Sequence, residues 1–153
     1  MMGASCGLGG DVHAKDFPAP DQDLKESGMQ SAVLAGGCFW CTEAVFEQLD
    51  GVTSVVSGYA GGKASDANYD AVSAGRTAHA EAIEVKYDAS KISYGKILQV
   101  FFSVAHDPTQ KDRQGPDWGK QYRSAIFYAN DEEKQVAKAY IDKLNDSKVF
   151  SKP

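Results

Sequence analysis

The chain has 153 residues, 42% apolar and 24% charged, with a net charge of −5, which is the composition of one soluble globular domain. No basic stripe offsets the negative charge, which argues against a general binder of nucleic acid or anionic membrane, and no apolar run reaches the length of a membrane span. Cys6, Cys38 and Cys41 are too few and too clustered for a disulfide scaffold. His13, His79 and His106 supply no second ligand pair for a closed zinc site. Redox or catalytic use of the cysteines is the better reading, with no metal and no cofactor.

Residues 1–30 are rich in Gly, Pro, Asp and Lys and lack an apolar period, so they read as a flexible arm before a domain at 31–153. The first ten residues have neither a basic nor an apolar leader region. A cytoplasmic protein is expected, or an exported one if an upstream leader has been removed. Ser31 to Ala35 is a short apolar strand ending in Gly36-Gly37. Cys38 to Leu49 reads as a helix packing through Phe39, Val45, Phe46 and Leu49, and Asp50-Gly51 ends it. The β-branched stretch Val52 to Tyr59 is a strand.

Asn68 to Ala74 is a helical turn, and His79 to Tyr87 alternates as a strand with one irregularity. Ser93 to Ala105 is a strongly apolar helix, followed by a long polar loop from His106 to Gln121. Tyr122 to Tyr128 is a strand. Asn130 and Glu133 have capping-box spacing at the start of a helix that buries Val136, Ala139, Tyr140, Ile141 and Leu144. The element order predicts an α+β two-layer sandwich, with a ferredoxin-like βαββαβ core and an added C-terminal helix.

The most informative segment is Gly36-Gly37-Cys38-Phe39-Trp40-Cys41-Thr42-Glu43. Two glycines leave a strand and a cysteine opens a helix. The N–H groups and dipole at that end favour an anion, which pushes a thiol toward the reactive thiolate. Read alone, the same cysteine could be a small buried apolar residue. Cys38 and Cys41 form Cys-x-x-Cys, so a thioredoxin-like disulfide oxidoreductase is the alternative reading. Against it, the aromatic pair lies between the cysteines and no cis-proline segment is evident.

Gly37-Cys38-Phe39-Trp40 resembles the signature of the A-type peptide-methionine sulfoxide reductases. Further similarity follows in that family's order: Gly58-Tyr59-Ala60-Gly61-Gly62, Asn68-Tyr69, His79-Ala80-Glu81-Ala82, His106-Asp107-Pro108, Arg113-Gln114-Gly115, Asp117 and Gln121-Tyr122-Arg123-Ser124. The similarity runs from about residue 31 to about residue 145. It implies thiol-dependent reduction of methionine S-sulfoxide, free or in oxidised proteins, with recycling by thioredoxin or a similar dithiol. The protein is expected to be a monomer without nucleic-acid or membrane partners.

Carried over, the resemblance makes Cys38 the nucleophile and Glu81 the acid that protonates the leaving oxygen. Tyr69 and Tyr122 become its hydrogen-bond donors, and Asp117 helps to hold the site. Phe39 and Trp40 would wall the substrate methyl group. The chemistry asks for such groups: a sulfoxide oxygen leaves only once protonated, a carboxyl in an apolar pocket keeps its proton to higher pH, and phenols polarise an S=O bond without carrying charge.

Two departures from the family's pattern stand out. Cys41 occupies a position where many members carry glycine, and it is the candidate resolving cysteine, with Cys6 as its rival. Residues three apart on a helix lie roughly 5–6 Å apart at Cβ, within reach of a disulfide after local adjustment. Family members also usually continue past the final helix, so the domain is expected to be shortened at its C-terminus.

Overall fold

The computed structural model describes residues 17–150, apart from 38, 64, 66, 74–76, 106, 107, 115 and 116. In chain order the elements are β1 (Met29–Gly36), α1 (Phe39–Glu47), β2 (Val52–Ala60), α2 (Tyr69–Ser73), β3 (Ala80–Asp88) and α3 (Tyr94–Val100). A π-helical segment (Phe101–Ala105), β4 (Arg113–Gln114), β5 (Asp117–Trp118), a 3-10 turn (Lys120–Tyr122), β6 (Ser124–Phe127) and α4 (Asp131–Ser147) follow.

Four strands form an antiparallel sheet in the order β2-β3-β1-β6, and β4 and β5 form a separate hairpin. The period-two alternation of the strands divides the sheet into two faces. Ala32, Leu34, Ile83, Val85 and Tyr87 share the main core with Phe46 of α1, Ile97 and Leu98 of α3, and Val136, Tyr140 and Leu144 of α4. Each such large apolar side chain contributes roughly 1.5–3 kcal/mol by leaving water. The opposite face is made of small residues, with Ala35, Ala80 and Ala82 buried and Val33, Ala60, Ala125 and Phe127 against them.

The flexible arm expected through residue 30 gives way to an anchored strap from Phe17 onward. Phe17 is 3% exposed and sits in the main core, with its ring centroid 5.6 Å from that of Phe150. Gln99 Nε2 donates to the Phe17 carbonyl at 2.8 Å, the Tyr140 hydroxyl donates to the Pro18 carbonyl at 2.6 Å, and Lys143 Nζ donates to the Ala19 carbonyl and pairs with Asp21. Asp23 accepts from the N–H of Gly95 in the first turn of α3, where a carboxylate meets the positive end of the helix. The strap thus crosses α3 and α4 before β1 begins.

Other boundaries also differ from the sequence reading. The helix expected to Ala105 is regular only to Val100 and then widens into the π-helical segment. Widening lets the consecutive residues Phe101 and Phe102 both reach the core, where their rings meet edge-on at 5.2 Å. The loop expected from residue 106 to 121 contains the β4–β5 hairpin. Tyr122 falls in the 3-10 turn rather than in a strand, because the chain turns at Gly119, whose φ is +129. On α4 the buried stripe is Glu133, Val136, Ala137, Tyr140 and Leu144. Ile141 is 41% exposed and borders, with Phe102, Ile126 and Phe150, a cavity of about 240 Å³. Asn130 caps α4 as expected, accepting from the Glu133 N–H at 2.9 Å.

Candidate active site

β1 ends in Gly36-Gly37, and α1 opens at Phe39. Gly37 has φ +91, and a Cβ there would overlap the Gln114 side chain of β4. Glycine is therefore required both by the backbone conformation and by the close approach of the β4–β5 hairpin. Cys38 lies outside the described residues, as do Cys6 and the Phe39 side chain. Trp40 projects from the first turn of α1 and is 63% exposed; its ring stacks on Tyr69 at 6.4 Å with a 22° interplanar angle. Cys41, one residue further along α1, is disulfide-bonded.

Tyr69 opens α2, a single turn capped by Asn68, whose side chain accepts from the Ala71 N–H at 2.9 Å. Tyr69 itself is 52% exposed.

Glu81 lies on β3, which has a neighbour on each side, and its residue is 4% exposed. One carboxyl oxygen, Oε2, is buried without a hydrogen-bond partner. Burial first, and the negative charge of Asp117 second, push the Glu81 carboxyl from 4.5 up to about 7. Asp117 opens β5 opposite Gln114, so the hairpin that meets Gly37 also brings a carboxylate toward Glu81. The 3-10 turn that ends in Tyr122 packs on β3, β4 and β5, and Tyr122 is half-buried.

Tyr59, absent from the site residues read from sequence, is the direct cross-strand partner of Glu81. Its phenol is pushed up by burial, then by the charges of Glu81, Tyr69 and Asp70. Tyr59 thus feels charges both from its strand partner Glu81 and from α2. Its ring also lies 6.1 Å from that of His79.

His79 immediately precedes β3 and is 4% exposed. Its Nδ1 accepts from the Gly62 N–H at 3.2 Å, and its Nε2 lies 2.6 Å from the Lys63 carbonyl oxygen. The His79 N–H donates to Thr77 Oγ1 at 3.1 Å. Nearby, Arg123 Nη2 donates to the Ala78 carbonyl at 2.9 Å. Among the described residues, no group of three or more His, Cys, Asp or Glu could hold a metal ion, and no helix is long and apolar enough to cross a membrane.

The sequence model of the family described as Peptide methionine sulfoxide reductase matches residues 30–153. The chain belongs to this family. Peptide methionine sulfoxide reductase MsrA 2 of Mesorhizobium japonicum is 54% identical over 126 residues, which are 82% of this chain and 65% of the relative. The MsrA 2 of Synechocystis sp. is 57% identical over 142 residues, 90% of this chain and 66% of the relative. The chain thus spans just under two thirds of the length of these curated relatives.

Mxr1 from Saccharomyces cerevisiae, in its reduced form, superposes with a TM-score of 0.69 at 35% identity, covering 78% of this chain and 70% of that one. The structure of Mxr1 in complex with Trx2 shares the fold, with a TM-score of 0.53 at 23% identity over 82% of this chain and 73% of that one. In this chain, strand register pairs Glu81 with Tyr59, the charge of Asp117 acts on Glu81 and that of Tyr69 on Tyr59, and the His79 ring lies beside Tyr59. Such a group can hold a carboxyl in its neutral form near pH 7 and offer phenolic hydroxyls to an oxygen atom.

Proposed function

We propose that the chain reduces methionine S-sulfoxide, free or in oxidised proteins, to methionine. The Cys38 thiolate attacks the sulfoxide sulfur while Glu81 gives its proton to the oxygen. Tyr69 and Tyr122 hydrogen-bond that oxygen, Asp117 helps keep Glu81 protonated, and Phe39 and Trp40 receive the methyl group. The sulfur–oxygen bond of the substrate breaks, methionine leaves, and Cys38 carries the oxygen as a sulfenic acid. Cys41 then condenses with the sulfenic acid, releasing water and forming a disulfide, which a thioredoxin-type dithiol reduces. The disulfide at Cys41 supports its use as the resolving thiol.

The observation that carries this reading is Glu81: a buried carboxyl near 7, with one oxygen unpartnered. An ordinary glutamate would be protonated to well under ~1% at pH 7, too little for a reaction that needs an acid in place. The strand order β2-β3-β1-β6, with helices packed on one face, suits a ferredoxin-like core. Recycling through free thiols suits a reducing compartment, and we assign a cytoplasmic monomer.

The test is stereospecific turnover with dithiothreitol. The S-sulfoxide should be reduced and the R-sulfoxide left, and Cys38→Ser should abolish turnover because a hydroxyl is a far poorer nucleophile at neutral pH. Equal use of both epimers, or substantial turnover by Cys38→Ser, would remove the proposal. Peptide mapping after one turnover identifies the partner of Cys41. A Cys6–Cys38 bridge would move the resolving role to Cys6.

A further inference from the structure

We propose that His79 is a positioning residue for the reaction: a neutral imidazole, protonated on Nε2, whose clasp on the Gly62–Lys63 backbone sets the tyrosine wall against Glu81. The inference rests on the function proposed above.

The tautomer follows from the partners. A backbone N–H can only donate, so Nδ1, which faces Gly62 N at 3.2 Å, carries no proton. A carbonyl oxygen can only accept, so Nε2, 2.6 Å from Lys63 O, carries one. Both bonds hold together only for the neutral ring in this single form. An imidazolium would place an N–H against the Gly62 N–H and break the first bond.

The clasp is close-fitting. A Cβ on Gly62 would lie 2.7 Å from His79 Cδ2, 2.8 Å from Cγ and 2.9 Å from the His79 backbone nitrogen. Glycine at 62 is therefore what lets the ring lie on this loop.

Its consequences for the site follow from chain connectivity. The clasped residues come three and four positions after Tyr59, the cross-strand partner of Glu81, and they begin the segment that leads to Tyr69. On the other side, His79 precedes Glu81 by two residues, and its ring lies 6.1 Å from that of Tyr59. One side chain thus ties the strand that bears the acid to the loop between the two phenols. Glu81 is unpartnered at Oε2, so its alignment to an incoming oxygen depends on such neighbours. Displacement of a positioned group by about 1 Å can cost on the order of 10²-fold in rate. The proposed nucleophile falls in sequence between β1 and α1, whereas the clasp's hydrogen bonds run to Gly62 and Lys63.

Nitrogen-15 NMR of the labelled, full-length protein reads the tautomer without reference to activity. His79 should show Nδ1 unprotonated and Nε2 protonated, assigned against His13 and His106 by the signal lost in His79→Gln. A protonated Nδ1 overturns the proposal. In steady-state assays with methionine S-sulfoxide, His79→Phe and Gly62→Ala should each lower kcat/KM by about 10–100-fold. The rate of Cys38 alkylation by iodoacetamide should stay unchanged.

His79→Gln, whose amide can donate to the Lys63 carbonyl, should recover most of the loss. The double variant His79→Phe/Gly62→Ala should be no worse than either single variant, because both remove one interaction. Losses that multiply, or a Gln variant no better than Phe, overturn the proposal. Failure of the wild-type protein to reduce the S-sulfoxide would instead defeat the underlying function and leave the tautomer measurement standing.

Discussion

Glu81 combines nearly complete burial, an unpartnered oxygen and a neighbouring carboxylate. With its carboxyl pushed up to about 7, it is the protonated, acid-competent form below that pH and the ionised form above it. Turnover should therefore fall as pH rises through about 7 once thiolate formation at Cys38 has been allowed for, as single-turnover rates across pH 5.5–9 (about that span) would show. Glu81→Gln keeps shape and a donor but cannot transfer a proton, and turnover should drop roughly 10²–10⁴-fold. Wild-type activity in that variant across neutral pH would end the assignment. Glu81 was legible in the sequence through the segment His79-Ala80-Glu81-Ala82, but Tyr59 as its neighbour was not. β2 carries a register shift between Val52 and Ser54. One extra residue reverses which face every later side chain takes. Counting alternation from Val52 would put Tyr59 on the opposite face from the core, whereas beyond the bulge Val55 and Tyr59 both pack toward it.

At the scale of elements, the sheet strands and the capped helix α4 were readable because their signals are side-chain patterns: alternation, a 3.6-residue stripe, an Asn130 cap. The strap from Phe17 to Gly28 was not. Its bonds run largely through the main-chain carbonyls of Phe17, Pro18 and Ala19, which every residue possesses, so nothing in the composition marks them. Its apolar contacts with the core, Phe17 and the partly buried Leu24, are isolated in a polar stretch with no period. Phe17→Ala should destabilise the fold by roughly 3–5 kcal/mol, the usual cost of emptying a buried phenylalanine site, and urea unfolding would measure it. A loss below about 1 kcal/mol would mean that the strap lies on the core without contributing to it. The β4–β5 hairpin escaped sequence reading for a different reason. Two-residue strands carry no periodicity, and this pair is held where Gln114 meets Gly37. Gly37→Ala should leave the core intact and impair turnover, since both the φ of +91 and the contact with Gln114 resist a Cβ.

The whole molecule bears a stability cost for this site that depends on pH. Glu81 has its folded carboxyl at about 7 against 4.5 in an unperturbed chain. Glu133 is also raised, first by burial and further by the charge of Glu26. In both cases the folded state binds protons more tightly than the unfolded state. Their favourable contribution is therefore complete below about 4.5 and is lost as pH rises through the folded values, about 7 for Glu81. Asp88 works in the opposite sense, held below its usual range by the Ser90 hydroxyl and backbone N–H. It titrates at lower pH and so leaves the 4.5-to-7 window to the buried glutamates. The net charge of −5 adds self-repulsion as carboxylates ionise. Tm should consequently decline between about pH 5.5 and pH 8. Glu81→Gln should flatten that decline and exceed the wild type at pH 8 by about 1–2 kcal/mol, allowing for solvent screening at the site's opening. Calorimetry on the two proteins across this range decides the matter: parallel curves would show that ionising Glu81 costs the fold nothing. A variant that is more stable at alkaline pH and nearly inactive at every pH would show the acid being kept at the expense of the fold, as expected where a charge-bearing group is buried for chemistry rather than for packing.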